Sequence, residues 1–283
     1  MKNILVPTDF SQQSKYALDL ARQIAIKTGG TIRLLHIIDH PKRVLLNASG
    51  QIDLDDPQEN EFVQVQLNKA QGQLDTMLEP ITDVALHGEI EIGDPTEDLV
   101  RNILVVDPDL VIMGTPGDTE KHGGEHVVKV VRSARCPLIT VKSPVQLDEL
   151  TEILLATNLL EEETEVIDAL KELQECLGLP LTVHKVLTAN DLPPDDQEKQ
   201  LMLNFIDRYQ LTSATPSFNH APTEPEGILK YTDEHPGCII ALATHGRKGL
   251  AHYISGSVAE DLAVSAHPPV WTCYQRKLKR IKT

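Results

Sequence analysis

Ile4-Leu5-Val6-Pro7-Thr8-Asp9-Phe10-Ser11 returns as Ile153-Leu154-Leu155-Ala156-Thr157-Asn158-Leu159-Leu160, each position shifted by 149 residues. Self-similarity at the length of a domain is the mark of a duplication. After each run, apolar residues recur at three- and four-residue spacing over 12–27 and 161–177, which predicts an amphipathic helix. Gly29-Gly30 and Gly178 stand where those helices end, as helix-terminating glycines do. A second apolar run then follows in each copy, 32–38 around His36 and 181–187 around His184. Strand, helix, strand is a βαβ unit, so the sheet is parallel.

The later elements repeat as well. A helix over 95–105 leads through Asp107-Pro108-Asp109 into an apolar strand over 110–113, and its counterpart over 224–233 leads through Glu234-His235-Pro236-Gly237 into 238–242. Each copy closes with a helix and a short strand introduced by proline, 138–141 and 270–273. The chain is therefore expected to be α/β, with two tandem doubly wound domains. Each has a five-stranded parallel sheet with helices on both faces. The expected domains cover 1–143 and 150–283, with 143–150 as linker. His36 and His184 sit inside apolar runs and are expected to be core histidines rather than ligands.

Composition narrows the function. The 283 residues are 41% hydrophobic and 24% charged, as in a globular protein. A net charge of -16 argues against nucleic acid, whose phosphates need a clustered basic surface. Arg276, Lys277, Lys279, Arg280 and Lys282 form a basic tail, expected to be a solvated end. The acidic stretch 42–60, with Asp53, Asp55 and Asp56, lacks the glycine and spaced ligands of a calcium loop. Cys136, Cys176, Cys238 and Cys273 show no metal or redox spacing. No signal-like start and no run of about 18 apolar residues is found, so a cytoplasmic protein without a membrane span is the expectation.

In a doubly wound sheet, ligands bind beyond the carboxyl ends of the strands where strand order reverses. The second copy has a loop suited to that place: Ala243-Thr244-His245-Gly246, nine residues over 247–255, then Gly256-Ser257-Val258 opening a helix. Glycines let the backbone approach a polyphosphate, a helix amino terminus offers free N–H groups, and Ser257 adds a hydroxyl. Helix capping explains Ser257 without a ligand, and exposure in a turn explains His245.

This spacing resembles the signature of the universal stress protein family, a glycine, two residues, a glycine, nine residues, then glycine and serine or threonine. Val6-Pro7-Thr8-Asp9-Phe10-Ser11 and Thr244-His245-Gly246-Arg247 are similar to that family too, and the resemblance spans both halves. It implies a Rossmann-like fold of the adenine-nucleotide α-hydrolase type. It also implies ATP or AMP as ligand, with Mg²⁺ accompanying ATP, and an adenosine contact from the strand-one aspartate. A small apolar residue after strand two would meet adenine, and the glycine loop would meet phosphate.

Carried over by position, the resemblance gives the first copy Asp9, Ile37, Gly114 and Gly117. Val127 and Val128 then stand where its glycine and serine are expected, and Gly123-Gly124 comes too early. The second copy has Asn158 for the aspartate, Ala243 for the first glycine and Lys185 at the adenine contact. For Asp9, capping of the following helix together with Ser11 is the competing reading. No catalytic or metal-binding spacing is found, so no enzyme is expected beyond slow ATP hydrolysis. Three functions stay open: an adenine-nucleotide module acting chiefly through the second copy, an interaction protein or binder of another small ligand, and a weak Mg²⁺-dependent ATPase. The resemblance further implies that the last strands of the two copies pair within the chain. A homodimer on top of that is left open.

Overall fold

Ile4, Leu5 and Val6 run through β1 (Asn3–Pro7) almost wholly buried, and Ile153, Leu154 and Leu155 do the same in β6 (Glu152–Ala156). Continuous apolar runs of this kind suit parallel strands covered on both faces. The structure is a computed structural model and describes residues 1–41, 56–116, 124–159, 164–188, 196–244 and 255–274, with side chains from 258 onward in the last segment. The basic tail, residues 42–55 and Gly117 lie outside these.

The first half continues with α1 (Gln12–Thr28), β2 (Thr31–Asp39), α2 (Pro57–Leu78), β3 (Ala85–Gly93), α3 (Pro95–Val106), β4 (Leu110–Gly114), α4 (Gly124–Ser133) and β5 (Leu138–Val141). The second repeats it with α5 (Thr164–Leu177), β7 (Leu181–Leu187), α6 (Asp196–Arg208), β8 (Ala214–His220), α7 (Glu224–Glu234), β9 (Cys238–Thr244), α8 (Ser255–Ser265) and β10 (Val270–Tyr274). Helix ends follow local chemistry. Ser11 caps α1, accepting from Ser14 N, and Gly29 ends it at φ 66°. Asp94 caps α3, whose first residue is Pro95. Gly178, after α5, also lies in the left-handed region at φ 73°, where glycine has no steric penalty.

All ten strands form one sheet in the order β3-β2-β1-β4-β5-β10-β9-β6-β7-β8. Each half is parallel and its order reverses between the first and fourth strands, at β1/β4 and β6/β9. The halves join edge to edge. β5 and β10 pair antiparallel, with Trp271 opposite Ile139, so two potential sheet edges cover each other. Trp271 is fully buried there, in a core cluster drawing on both halves. Beside the joint, Arg132 of α4 grips Glu260 of α8 through both guanidinium nitrogens Nε and Nη2. The expected linker is strapped down. The Gln23 side chain of α1 donates to the Val145 carbonyl and accepts from Leu147 N, both at 2.9 Å.

Candidate functional site

The turn after the first strand has the same construction in both halves. Thr8 N donates to the Leu35 carbonyl, and Phe10 N to Thr8 Oγ1 at 3.0 Å. In the second half Thr157 N donates to the His184 carbonyl, and Leu159 N to Thr157 Oγ1 at 3.1 Å. Phe10 and Leu159 are held at φ 65° and 63°, a left-handed conformation that costs an ordinary residue roughly 1–2 kcal/mol. Keeping it twice fixes where the preceding residue, Asp9 or Asn158, stands.

In the first half this turn borders a cavity of about 350 Å³ beyond the carboxyl ends of β1, β2 and β4, which is the reversal point of strand order. Asp9, Ile37 and Gly114 all line it. Asp9 is exposed, and its Oδ1 accepts from Ser11 N at 3.0 Å, so the carboxylate supports the turn while facing the cavity. Gly114 has a structural reason of its own. A Cβ there would stand 2.4 Å from the Gln13 carbonyl carbon and 2.6 Å from its oxygen, so the first turn of α1 presses directly on it.

The cavity also takes in residues that were not expected there. His36, expected to be a core histidine, is instead half-buried and lines it, with Nδ1–H donating to the Thr8 carbonyl at 2.8 Å and the ring against Phe10 at 4.3 Å. The carbonyl accepts only, so Nε2 carries no hydrogen in the neutral ring. Burial pushes the His36 imidazole below its ordinary value, against the opposing pull of the Thr8 carbonyl and Asp9. Thr96, in the first turn of α3, and His126, in that of α4, meet through Oγ1 and Nδ1 on the cavity wall. No motif read from the sequence pointed to either; Thr96 only falls in the helix expected over 95–105.

The sheet register corrects one expectation for the second half. Ile4 pairs with Ile32 and Pro7 with Leu35, while Ile153 pairs with Leu181 and Ala156 with His184. His184 therefore corresponds to Leu35, Lys185 to His36, and Val186 to Ile37. Lys185 does not occupy the apolar contact. It lies on the opposite face of β7, its ammonium paired with Glu198 of α6. Val186 holds the apolar place and clusters with Leu242 and Val258. Ala243 is buried at the end of β9, and Asn158 is half-buried after β6.

A second correction concerns the helix that follows the loop. Gly124 stands fourteen residues before the first residue of β5, and Gly256 fourteen before that of β10. Gly124 is thus the counterpart of Gly256, reached by a loop shorter by three residues, and Glu125 and His126 replace Ser257 and Val258. Val127 is the fourth residue of α4 and the first that its inner face buries, matching Ala259, rather than a lost glycine. His245 and Gly246 lie outside the described residues, and of Gly256 and Ser257 only their place in α8 is described.

The model of the universal stress protein family matches residues 1–142 and 219–273. The chain belongs to that family. The universal stress protein Slr1230 of Synechocystis is 24% identical over 291 residues, across 96% of this chain and 99% of its own. Universal stress protein MJ0531 of Methanocaldococcus jannaschii is 29% identical over 146 residues, across 50% of this chain and 83% of its own. The crystal structure of a universal stress protein from Archaeoglobus fulgidus superposes with a TM-score of 0.73 at 16% identity, covering 97% of this chain and 98% of that one. A tandem arrangement of the family's domain follows from the two matched regions and this shared length. Among the described residues no helix is long and apolar enough to cross a membrane, and no group of three or more His, Cys, Asp and Glu is placed to hold a metal ion.

Proposed function

We propose that this chain is a tandem universal stress protein that binds adenine nucleotide, ATP or AMP, chiefly through its second half, and works by binding rather than by turnover. The observation that carries the reading is the β7 register. It gives the second half an apolar residue, Val186, where the base would lie, beside Val258 of the helix that Gly256 and Ser257 open. Asn158 would hydrogen-bond the ribose. Backbone N–H groups at the start of α8 and the Ser257 hydroxyl would receive phosphate, where the helix dipole favours negative charge. Mg²⁺, where ATP is the ligand, would enter with the phosphates.

The module would act in the cytoplasm, passing its ligand state to a protein partner, with the β5–β10 joint as an internal pseudo-dimer. Calorimetric titration of ligand-stripped protein with ATP and with AMP tests this. Saturable heat is expected, and Gly256→Val should remove most of it. Absence of heat and of thermal stabilisation by either nucleotide at millimolar concentration, in the parent chain and variant alike, would sink the nucleotide reading. The rival reading, a binder of another small ligand, is favoured by one feature: no Lys or Arg is among the described residues lining the first-half cavity.

A further inference from the structure

Leu104, Val105 and Val106 end α3 with three consecutive apolar side chains in solvent, Val105 being 77% exposed. Scattered exposed apolar residues are ordinary, but a contiguous run of them marks a contact surface. The helix end is also bare of cations. Its last turn holds no basic residue, and the capping Asp107 is exposed, so the carbonyl end keeps its negative pole. Val106 and Pro108 line a cavity of about 250 Å³ whose walls include Leu5 and Ile32 beside Arg33 and its partner Glu89. The apolar surface therefore continues inward at one side. Together these features suit a segment that mixes basic and apolar residues.

Gln275-Arg276-Lys277-Leu278-Lys279-Arg280-Ile281-Lys282-Thr283 is such a segment. The chain holds 42 Asp and Glu against 26 Lys and Arg, yet these nine residues carry five of the cations and no acid. The point from which they depart is fixed by the sheet. Leu138 pairs with Thr272 antiparallel and with Val111 parallel, and the same register carried on by two residues sets Tyr274 beside Cys136 and Cys136 beside Asp109. Asp107 and Asp109 are near enough to Cys136 to reinforce the upward push that burial gives its thiol. Two strand spacings of about 4.8 Å thus separate Tyr274 from Asp109, and nine extended residues span roughly 30 Å. Leu278 and Ile281 reach the end of α3 with chain to spare. Lys2 and Arg135 are exposed at the same end of the sheet, so apolar contact as well as charge must fix the place.

We propose that residues 275–283 dock on the C-terminal end of α3 in the same chain, Leu278 and Ile281 covering Leu104, Val105 and Val106 while the cations face Asp107 and the helix carbonyls. The last strand of the second half is thereby continued as a strap over the first. The contact does not depend on nucleotide. Trypsin tests it, because Arg276, Lys277, Lys279, Arg280 and Lys282 are cleavage points and cleavage tracks the undocked fraction. Followed by mass spectrometry, cleavage within 276–282 of the full chain should be at least tenfold slower than in a synthetic peptide of residues 271–283. Leu104→Gln with Val105→Gln should bring the rate to within about threefold of the peptide. Leu278→Ser with Ile281→Ser, outside the folded core, should do the same against its matching peptide. Ile26→Gln, at an exposed position of α1 across the sheet, should leave protection whole. Cleavage of the parent chain at the peptide's rate overturns the inference. Protection that survives the paired α3 substitution overturns it by placing the segment elsewhere, and protection lost on tenfold dilution does so by making the occupant a second copy. Parent chain binding anionic lipid vesicles as tightly as the peptide overturns it by giving the segment to a membrane.

Discussion

Gly114 and Ala243 occupy the same place in the two halves, and what presses on each decides what each tolerates. The carbonyl of Gln13 leaves no room for a methyl group on Gly114, and backbone cannot swing aside as a side-chain tip can. Gly114→Ala should therefore cost roughly 1–3 kcal/mol, the range for overpacking a tight site. Ala243→Gly, which adds backbone freedom and removes one buried methyl group, should cost about 1–2 kcal/mol; urea midpoints of the two variants measure both costs. His184 allows a second test. Its ring is fully buried on β7, with Nδ1 3.1 Å from Ser217 Oγ. Asn219 stands near enough to oppose the shift but not to close a bond of good geometry: His184 Nε2 and Asn219 Oδ1 are both buried without one. Burial thus pushes the imidazole from 6.5 down to about 4. Between those values the unfolded chain binds a proton that the folded chain refuses, so stability is whole above pH 6.5 and falls as pH drops toward 4. The loss should be roughly 2–3 kcal/mol at the lower limit. His184→Leu, the residue of the first half at this register, should flatten the change in denaturation midpoint between about pH 7 and pH 5, the span in which the unfolded imidazole takes up its proton; an unchanged slope would refute it. A core role for His184 was readable from its apolar neighbours. The identity of its partner in the other half was not, because an offset of one residue between strands leaves no trace in a single apolar run. The same blind spot assigned Lys185 to the place of Val186 until pairing with β6 fixed the register.

Elements were more legible than positions. Continuous apolar runs between helix-period stretches disclosed β1, β2, β4, β5 and their counterparts, since burial on both faces demands them, whereas the half-exposed strands β3 and β8 carry no such run and were not located; glycines marked the first helix ends. α3 shows the cost of an imperfect end. It stops at Asp107, exposed and in the left-handed region at φ 50°, where α1 stops at Gly29 in a similar conformation. A non-glycine residue in that region carries a steric penalty that glycine escapes. Asp107→Gly should accordingly raise stability by about 0.5–1 kcal/mol, read as a higher melting temperature with an unchanged circular dichroism spectrum. A fall would mean that the carboxylate contributes more than the strain costs. Loops were the illegible elements. Counting nine residues onward from Gly117 led to Val127 and Val128, because a loop three residues shorter looks from sequence alone like a lost motif. The fixed distance from each helix to its closing strand restores Gly124 to its place, and with it the difference that matters: Glu125 and His126 against Ser257 and Val258.

At the scale of the molecule, duplication has produced one sheet rather than two domains on a string. The chain contains a single tryptophan, and it lies at the joint, opposite Ile139 and fully buried in a cluster fed by both halves. Its environment therefore reports whether β5 and β10 are together, whereas far-ultraviolet circular dichroism reports helices throughout. If the shared cluster binds the halves into one cooperative unit, the two signals will lose native character at the same denaturant concentration. Ile139→Ala, which keeps the reporter and hollows the joint, should cost about 2–5 kcal/mol and move both midpoints down together. Tryptophan exposure moving to lower denaturant while the dichroism transition stays in place would instead make the joint a hinge between independently stable halves. Ligand state in one half could then reach the other only through that hinge. Coincident transitions imply the opposite: nucleotide bound in the second half stabilises the first by the same free energy, because a cooperative unit unfolds as a whole.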